Sequence, residues 1–218
     1  MIERSLVNWV LNKIKTNDRV LSAEIIEENI ILIRRLSDES EIKVVTLSFQ
    51  ELNIDNVSKI VNDYKFDFLL NIKAEAYYHG KIYSFLDDKK KSFGTLGDLY
   101  RVIGQNENWP YLHRDVKFIL RNLKQHSKVL KVERLDNKRL NIIRKFNLSS
   151  IIIVATNDYE VNAESLRKLK EDFNNFDAIL ASNPIGRITS QAFSVAEMMG
   201  VPLYNWSELY SELNKKWK

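Results

Sequence analysis

Toward the end of this 218-residue sequence lies Ser182-Asn183-Pro184-Ile185-Gly186-Arg187, followed by Thr189-Ser190. These residue types suit the recognition of an anion. Gly186 lets the backbone approach a ligand closely. Thr189 or Ser190, opening a helix, can cap it, and the free N–H groups there favour negative charge. Arg187 can grip a phosphate through two parallel N–H bonds, and the Asn183 amide both donates and accepts. In the first half Asn71 and then His79-Gly80-Lys81 read in the same way, with a glycine again followed by a basic residue. The pattern is neither a Walker loop nor a GxGxxG. It also describes an ordinary strand-to-helix turn with a solvated arginine.

The elements that must position these residues follow from hydrophobic periodicity. Short apolar runs at Ile151–Thr156, Ala178–Ala181 and Val201–Tyr204 alternate with helix-length amphipathic stretches, the βαβαβ signal of a parallel sheet. Upstream, residues 2–15 read as a helix. Arg19–Ile26, Asn29–Leu36 and Ile42–Phe49 read as strands, Asp55–Tyr64 as a helix and Phe66–Ile72 as a strand. Residues 73–104 are less regular and end in a helix near Gly97–Ile103. A connector is expected at 105–112. His113–Gln125 then reads as a helix and Lys128–Leu135 and Arg139–Phe146 as strands around an Asp136-Asn137 hairpin turn. The expected core includes Val10, Val57, Ile60, Leu69, Leu166, Leu169, Ile179, Leu180 and Val195.

The two halves repeat one another at an offset of about 109–110. Val7, Val10, Leu11 and Ile14 fall on Val116, Ile119, Leu120 and Leu123; Phe66-Asp67 falls on Phe176-Asp177; Leu99-Tyr100 falls on Leu209-Tyr210. The expected fold is therefore α/β: a tandem duplication of an α-β-β-β-α-β unit, residues 1–104 and 113–218, with mixed sheets, flanking helices and a pseudo-two-fold relation. Arg34 and Arg144 recur on the second strand of each half at the same offset. They could track a nucleic-acid backbone or line the surface between the halves.

This element order is that of the restriction-endonuclease-like fold. The tail AILASNPIGRITSQAFSVAEMMGVPLYNWSELYSEL resembles the end of Mrr-type members of that superfamily, over about 40 residues. The resemblance implies a protein that acts on nucleic acid. It also implies an acid at the end of the second strand and an acid-x-lysine on the third, holding a magnesium ion that activates water. In the first half the residues with that spacing are Asp38, Glu41 and Lys43, although they stand at the start of the strand. In the second half Ser150 replaces the glutamate, and IIIVATND has no such triplet. SDESEIK also reads as a solvated hairpin turn. A degenerate or unusual site is expected if the fold is of this kind. The alternatives are a Rossmann-like module binding a nucleotide or other anion, and a non-catalytic subunit that serves a protein partner.

Composition sets outer limits. There is no Cys, which excludes disulfides and thiolate chemistry. His79, His113 and His126 are too far apart for zinc-ligand spacing, so no metal ligands are assigned on that basis. A hydrophobic content of 44% supports a real core, and the net charge of +4 permits a polyanion partner. The opening MIERSLVNWVLNKIK carries charges within its apolar run, unlike a signal peptide. No run approaches the ~20 apolar residues of a membrane span. A cytoplasmic protein without membrane contact is expected.

Overall fold

The computed structural model describes residues 4–104 and 109–217. The chain divides into two compact units, Met1–His113 and Arg114–Lys218. Unit 1 runs α1 (Arg4–Lys15), β1 (Val20–Glu27), β2 (Ile30–Arg35), β3 (Glu41–Leu47), β4 (Glu51–Leu52), α2 (Ile54–Asp63), β5 (Phe68–Asn71), β6 (Tyr77–Tyr78), α3 (Lys81–Asp88), β7 (Ser92–Gly94) and α4 (Leu96–Gly104). Unit 2 runs α5 (Arg114–Gln125), β8 (Val129–Arg134), β9 (Arg139–Arg144), β10 (Ile151–Thr156), β11 (Glu160–Val161), α6 (Ala163–Asp172), β12 (Ala178–Ala181), β13 (Arg187–Ile188), α7 (Ser190–Met198), β14 (Leu203–Tyr204) and α8 (Trp206–Glu212).

Each unit holds a five-stranded mixed sheet, ordered β1-β2-β3-β5-β7 in one and β8-β9-β10-β12-β14 in the other. The first two pairings of each sheet are antiparallel and the last two parallel. The second strand alone therefore runs against the other four. In unit 1, α1 and α4 bury Val7, Val10, Ile14, Leu99 and Ile103 against Ile42, Val44, Phe68 and Leu70. The opposite sheet face, with Val45, Leu47 and Leu69, takes α2 and α3 through Val57, Ile60, Ile82 and Leu86. The split follows from strand alternation, since successive side chains point to opposite faces. In unit 2, α5 and α8 cover Ile151, Ile153, Ala178 and Leu180, and α6 packs on α7.

The duplication extends to capping and register. Asn53 and Asn162 cap α2 and α6 with reciprocal bonds to Asn56 and Ser165, both at an offset of 109. Asp67 Oδ2 accepts from the Lys43 N–H (2.9 Å), and Asp177 Oδ2 accepts from the Ile152 N–H (2.6 Å). The offset grows to 110 between the C-caps Tyr64 and Phe173 and those two aspartates. Asn174-Asn175 occupies the place of Lys65, with Asn175 at φ 57°.

The ladders correct one correspondence. Val20 pairs with Arg35 and Val129 with Arg144, so the counterpart of Arg144 is Arg35. Arg34 instead matches Ile143. Fully buried Ile33 and Ile142 fix this register, because a one-residue slip would turn both strands inside out.

The irregular stretch from Lys73 contains β6, α3 and β7, which periodicity does not reveal. β6 and β7 have two and three residues, and α3 has Gly80 at its N-cap, which offers no side-chain bond. Its counterpart α7 has Thr189 as cap. Both helices close with a residue in the left-handed region, Lys90 (φ 53°) and Gly200 (φ 65°). The following N–H of Lys91 or Val201 reaches back to Leu86 O or Ala196 O. Of the expected connector, residues 105–108 lie outside the described residues, while Trp109 and Tyr111 pack into the unit 1 core.

Candidate functional site

In unit 2 the carboxyl ends of β10 and β12 lead into a small parallel ladder, in which Glu160 of β11 pairs with Arg187 of β13. Around it the structure gathers Asn183, Gly186, Arg187 and Thr189. Asn183 Oδ1 accepts from the Ile185 N–H (3.1 Å) and its Nδ2 donates to Asn157 O (3.3 Å). The Arg187 N–H donates to Tyr159 O (2.8 Å). Arg187 Nε donates to Glu160 Oε2 at 2.6 Å, and its Nη2 touches the same oxygen. This pair is exposed, so its energy is about 0–1 kcal/mol and a competing anion can displace the carboxylate. Thr189 Oγ1 accepts from the Ala192 N–H (3.2 Å), which occupies the cap. Ser190 is the exposed first residue of α7.

Gly186 is required by space rather than by a positive φ. A Cβ there would stand 3.0 Å from Asp158 O and 3.1 Å from both Tyr159 O and Asn183 Cβ. Two of these neighbours are backbone and yield little. Gly186→Val is expected to lower stability by about 1–3 kcal/mol through overpacking. A thermal melt indistinguishable from the parent would show that the loop opens freely.

Unit 1 builds the equivalent ladder from β4 and β6. Glu51 matches Glu160, and here its partner is His79, with Nε2 to Oε1 at 2.5 Å. Sequence reasoning missed this acid although it recurs at an offset of 109, because glutamates on two-residue strands resemble solvated loop charge. Gly80-Lys81 does not correspond to Gly186-Arg187. His79 bonds back to Leu52 O as Thr189 does to Val161 O, so Gly80 stands where Ser190 stands. Lys81 is the exposed start of α3. Asn71 is buried and fully engaged: Oδ1 accepts from the Phe49 N–H, and Nδ2 donates to Phe49 O (both 2.9 Å) and to the Tyr78 hydroxyl (3.2 Å). It extends the sheet, its amide committed to Phe49 and Tyr78.

The two arginines differ. Arg34 is exposed and pairs with Glu41 (2.8 Å), whose hydrogen bond raises its pKa. Arg144 is buried: Nε donates to Ser149 O (2.7 Å), Nη1 to Leu213 O (3.1 Å) and Lys215 O (2.7 Å), and Nη2 to Ser149 Oγ (3.3 Å). It ties the end of α8 to the turn before β10, and burial lowers its pKa.

Asp38, Glu41 and Lys43 lie on the β2–β3 turn and at the amino end of β3, away from the strand ends that form the ladders. Asp38 takes the Ser40 hydroxyl (2.7 Å) and N–H (3.1 Å), bonds that hold its carboxyl below the usual range. Glu41 is held by Arg34, and the Lys43 backbone is held by Asp67. At the carboxyl ends stand Thr46 in β3 and Thr156 in β10, the latter donating to Asp158 (2.7 Å). Among the described residues no three His, Asp or Glu side chains converge where a metal ion could sit. Asp38 and Glu41, which the nuclease resemblance would have hold a magnesium ion, are engaged by Ser40 and Arg34. His126 is structural, with Nδ1 accepting from the Lys128 N–H (3.2 Å) and Nε2 beside Tyr210 O (3.2 Å).

Comparison with protein-family models, with curated proteins and with solved structures found no match to the chain.

Proposed function

We propose that this chain is a nucleic-acid-associated protein made of two nuclease-like units, and that it binds phosphate backbone without cutting it. The observation that carries this reading is the sheet of each unit: five strands in which only the second is reversed, with two helices on each face of the unit 1 sheet. That is the α-β-β-β-α-β plan expected of a restriction-endonuclease-like core. The net charge of +4 favours a polyanion partner. The tying of carboxylates into caps, turns and ion pairs supports binding over metal-dependent hydrolysis.

The Rossmann-like alternative has less support. Its ligand crevice arises where successive crossovers pass to opposite faces of the sheet. In unit 1 both crossovers, through α2 and α3, lie on one face. A protein-interaction role is favoured by the exposed Tyr159 and Ile185 beside the β11–β13 ladder.

The test is a binding and cleavage assay on single- and double-stranded DNA and RNA, with and without magnesium. The expected outcome is binding with no metal-dependent cleavage. If about four phosphates are neutralised, affinity should fall on the order of 10²-fold between about 50 and 200 mM salt. Affinity that is insensitive to salt would point to a buried small-ligand mode. Products that appear only with magnesium would restore a catalytic role.

A further inference from the structure

Phe146 is the second most exposed large apolar residue of unit 2's sheet turns and ladders after Ile185, at 72%. It sits at φ 59°, and Asn147 follows at φ 57°. A bulky side chain in the left-handed region is uncommon and costly, and an exposed ring forgoes the gain of burial. The fold benefits from neither, which points to a use outside the fold. One lysine faces the ring and two more belong to neighbouring backbone. Lys128 Nζ lies 4.6 Å from its centroid. The Lys145 N–H donates to Lys128 O (2.8 Å), placing both lysines on adjoining backbone. Arg144 binds Ser149 O and Lys215 O together, bringing the chain end with Lys216 to the same turn. Residues 145–150, KFNLSS, hold no acid, whereas the matching turn of unit 1, LSDESE, holds three. The same place in the two copies has opposite charge.

We propose that the turn from Lys145 to Ser149 is a docking surface for single-stranded nucleic acid, with Phe146 stacking an unpaired base and Lys128, Lys145 and Lys216 contacting the flanking phosphates. This rests on the function proposed above and adds its strand preference and location. Aromatic rings stack any unpaired base, and lysines follow the backbone without reading sequence. The face of Phe146 away from Lys128 takes the base. A duplex, whose bases are already stacked, gains nothing from the ring.

The experiment is fluorescence anisotropy of the full chain with a labelled oligothymidylate of about twenty nucleotides and with a duplex of the same length. Phe146→Gly should weaken single-strand binding about tenfold, leave duplex binding unchanged and not lower the melting temperature, because glycine accepts a positive φ. Phe146→Trp should retain single-strand binding. Lys145→Glu should weaken binding of both probes and flatten the salt slope by about one. If the parent binds the single strand and Phe146→Gly binds it equally well, the docking surface is wrong while the wider reading stands. A parent that binds only the duplex has the same consequence. If the parent binds neither probe, the proposed function fails and this inference fails with it.

Discussion

Arg144→Ala should destabilise unit 2 by about 1–3 kcal/mol, the range for leaving buried neutral acceptors without their donor. The guanidinium donates to four neutral oxygens, and three of them are backbone carbonyls, of Ser149, Leu213 and Lys215. Leu213 is the C-cap of α8, where unsatisfied carbonyls carry the negative end of the helix dipole. Truncation leaves these acceptors without their donor and opens a void behind β9. Lysine is a poor replacement, since one ammonium cannot reproduce a planar fork aimed at separate acceptors. Urea denaturation of Arg144→Ala and Arg144→Lys measures the effect. Arg34→Ala, at an exposed ion pair, is the control and should leave the transition where it is. A loss below about 1 kcal/mol for Arg144→Ala would mean that the chain end is held by packing alone.

Leu69→Ala and Ile179→Ala should each cost about 2–5 kcal/mol. The two positions are equivalent and fully buried. Leu69 lies between Val45 and Phe93, and Ile179 between Val154 and Leu203, each on the central parallel strand of its sheet. Losing three carbons removes their transfer free energy and leaves a cavity that rigid ladders on both sides cannot close. Because the residues belong to separate compact units, the two losses should add in the double variant within about 0.5 kcal/mol. Chemical denaturation of the three variants tests this. A near-zero loss at either site would remove that strand from the core.

The architecture was legible where side chains alternate against a core. The apolar runs around Val44, Leu69, Ile153 and Ile179, and the helix face of Val7, Val10 and Ile14, carry the period that burial imposes. β4, β6, β11 and β13 were not legible, because each is two residues long and none lies in an apolar run like that around Leu203. Register was half legible. The repeat offset of 110 made Arg144 the counterpart of Arg34, whereas the ladder registers make it the counterpart of Arg35. Asn183, Gly186, Arg187 and Thr189 lie on and beside the β11–β13 ladder, at the strand ends where the sequence placed them. The ion pair there was not legible, because the acid that engages Arg187 lies 27 positions away on another strand. Asn71 and Arg144 show the converse: polar residues that looked available for a ligand are consumed by backbone groups no pattern reveals.

The extra residue between α6 and β12 shows where this fold can change length. A slip of one residue inside a strand would turn Ile179 and Leu180 to the wrong faces. The chain absorbs the difference earlier, in Asn174-Asn175, before the bond from the Ile152 N–H to Asp177 sets the strand. Asp177, like Asp67, acts as a stop that separates a tolerant segment from an intolerant one. The two units accordingly differ in length ahead of that stop and in charge on their β2–β3 and β9–β10 turns. The sheets behind those turns kept the same reading frame of inward and outward side chains.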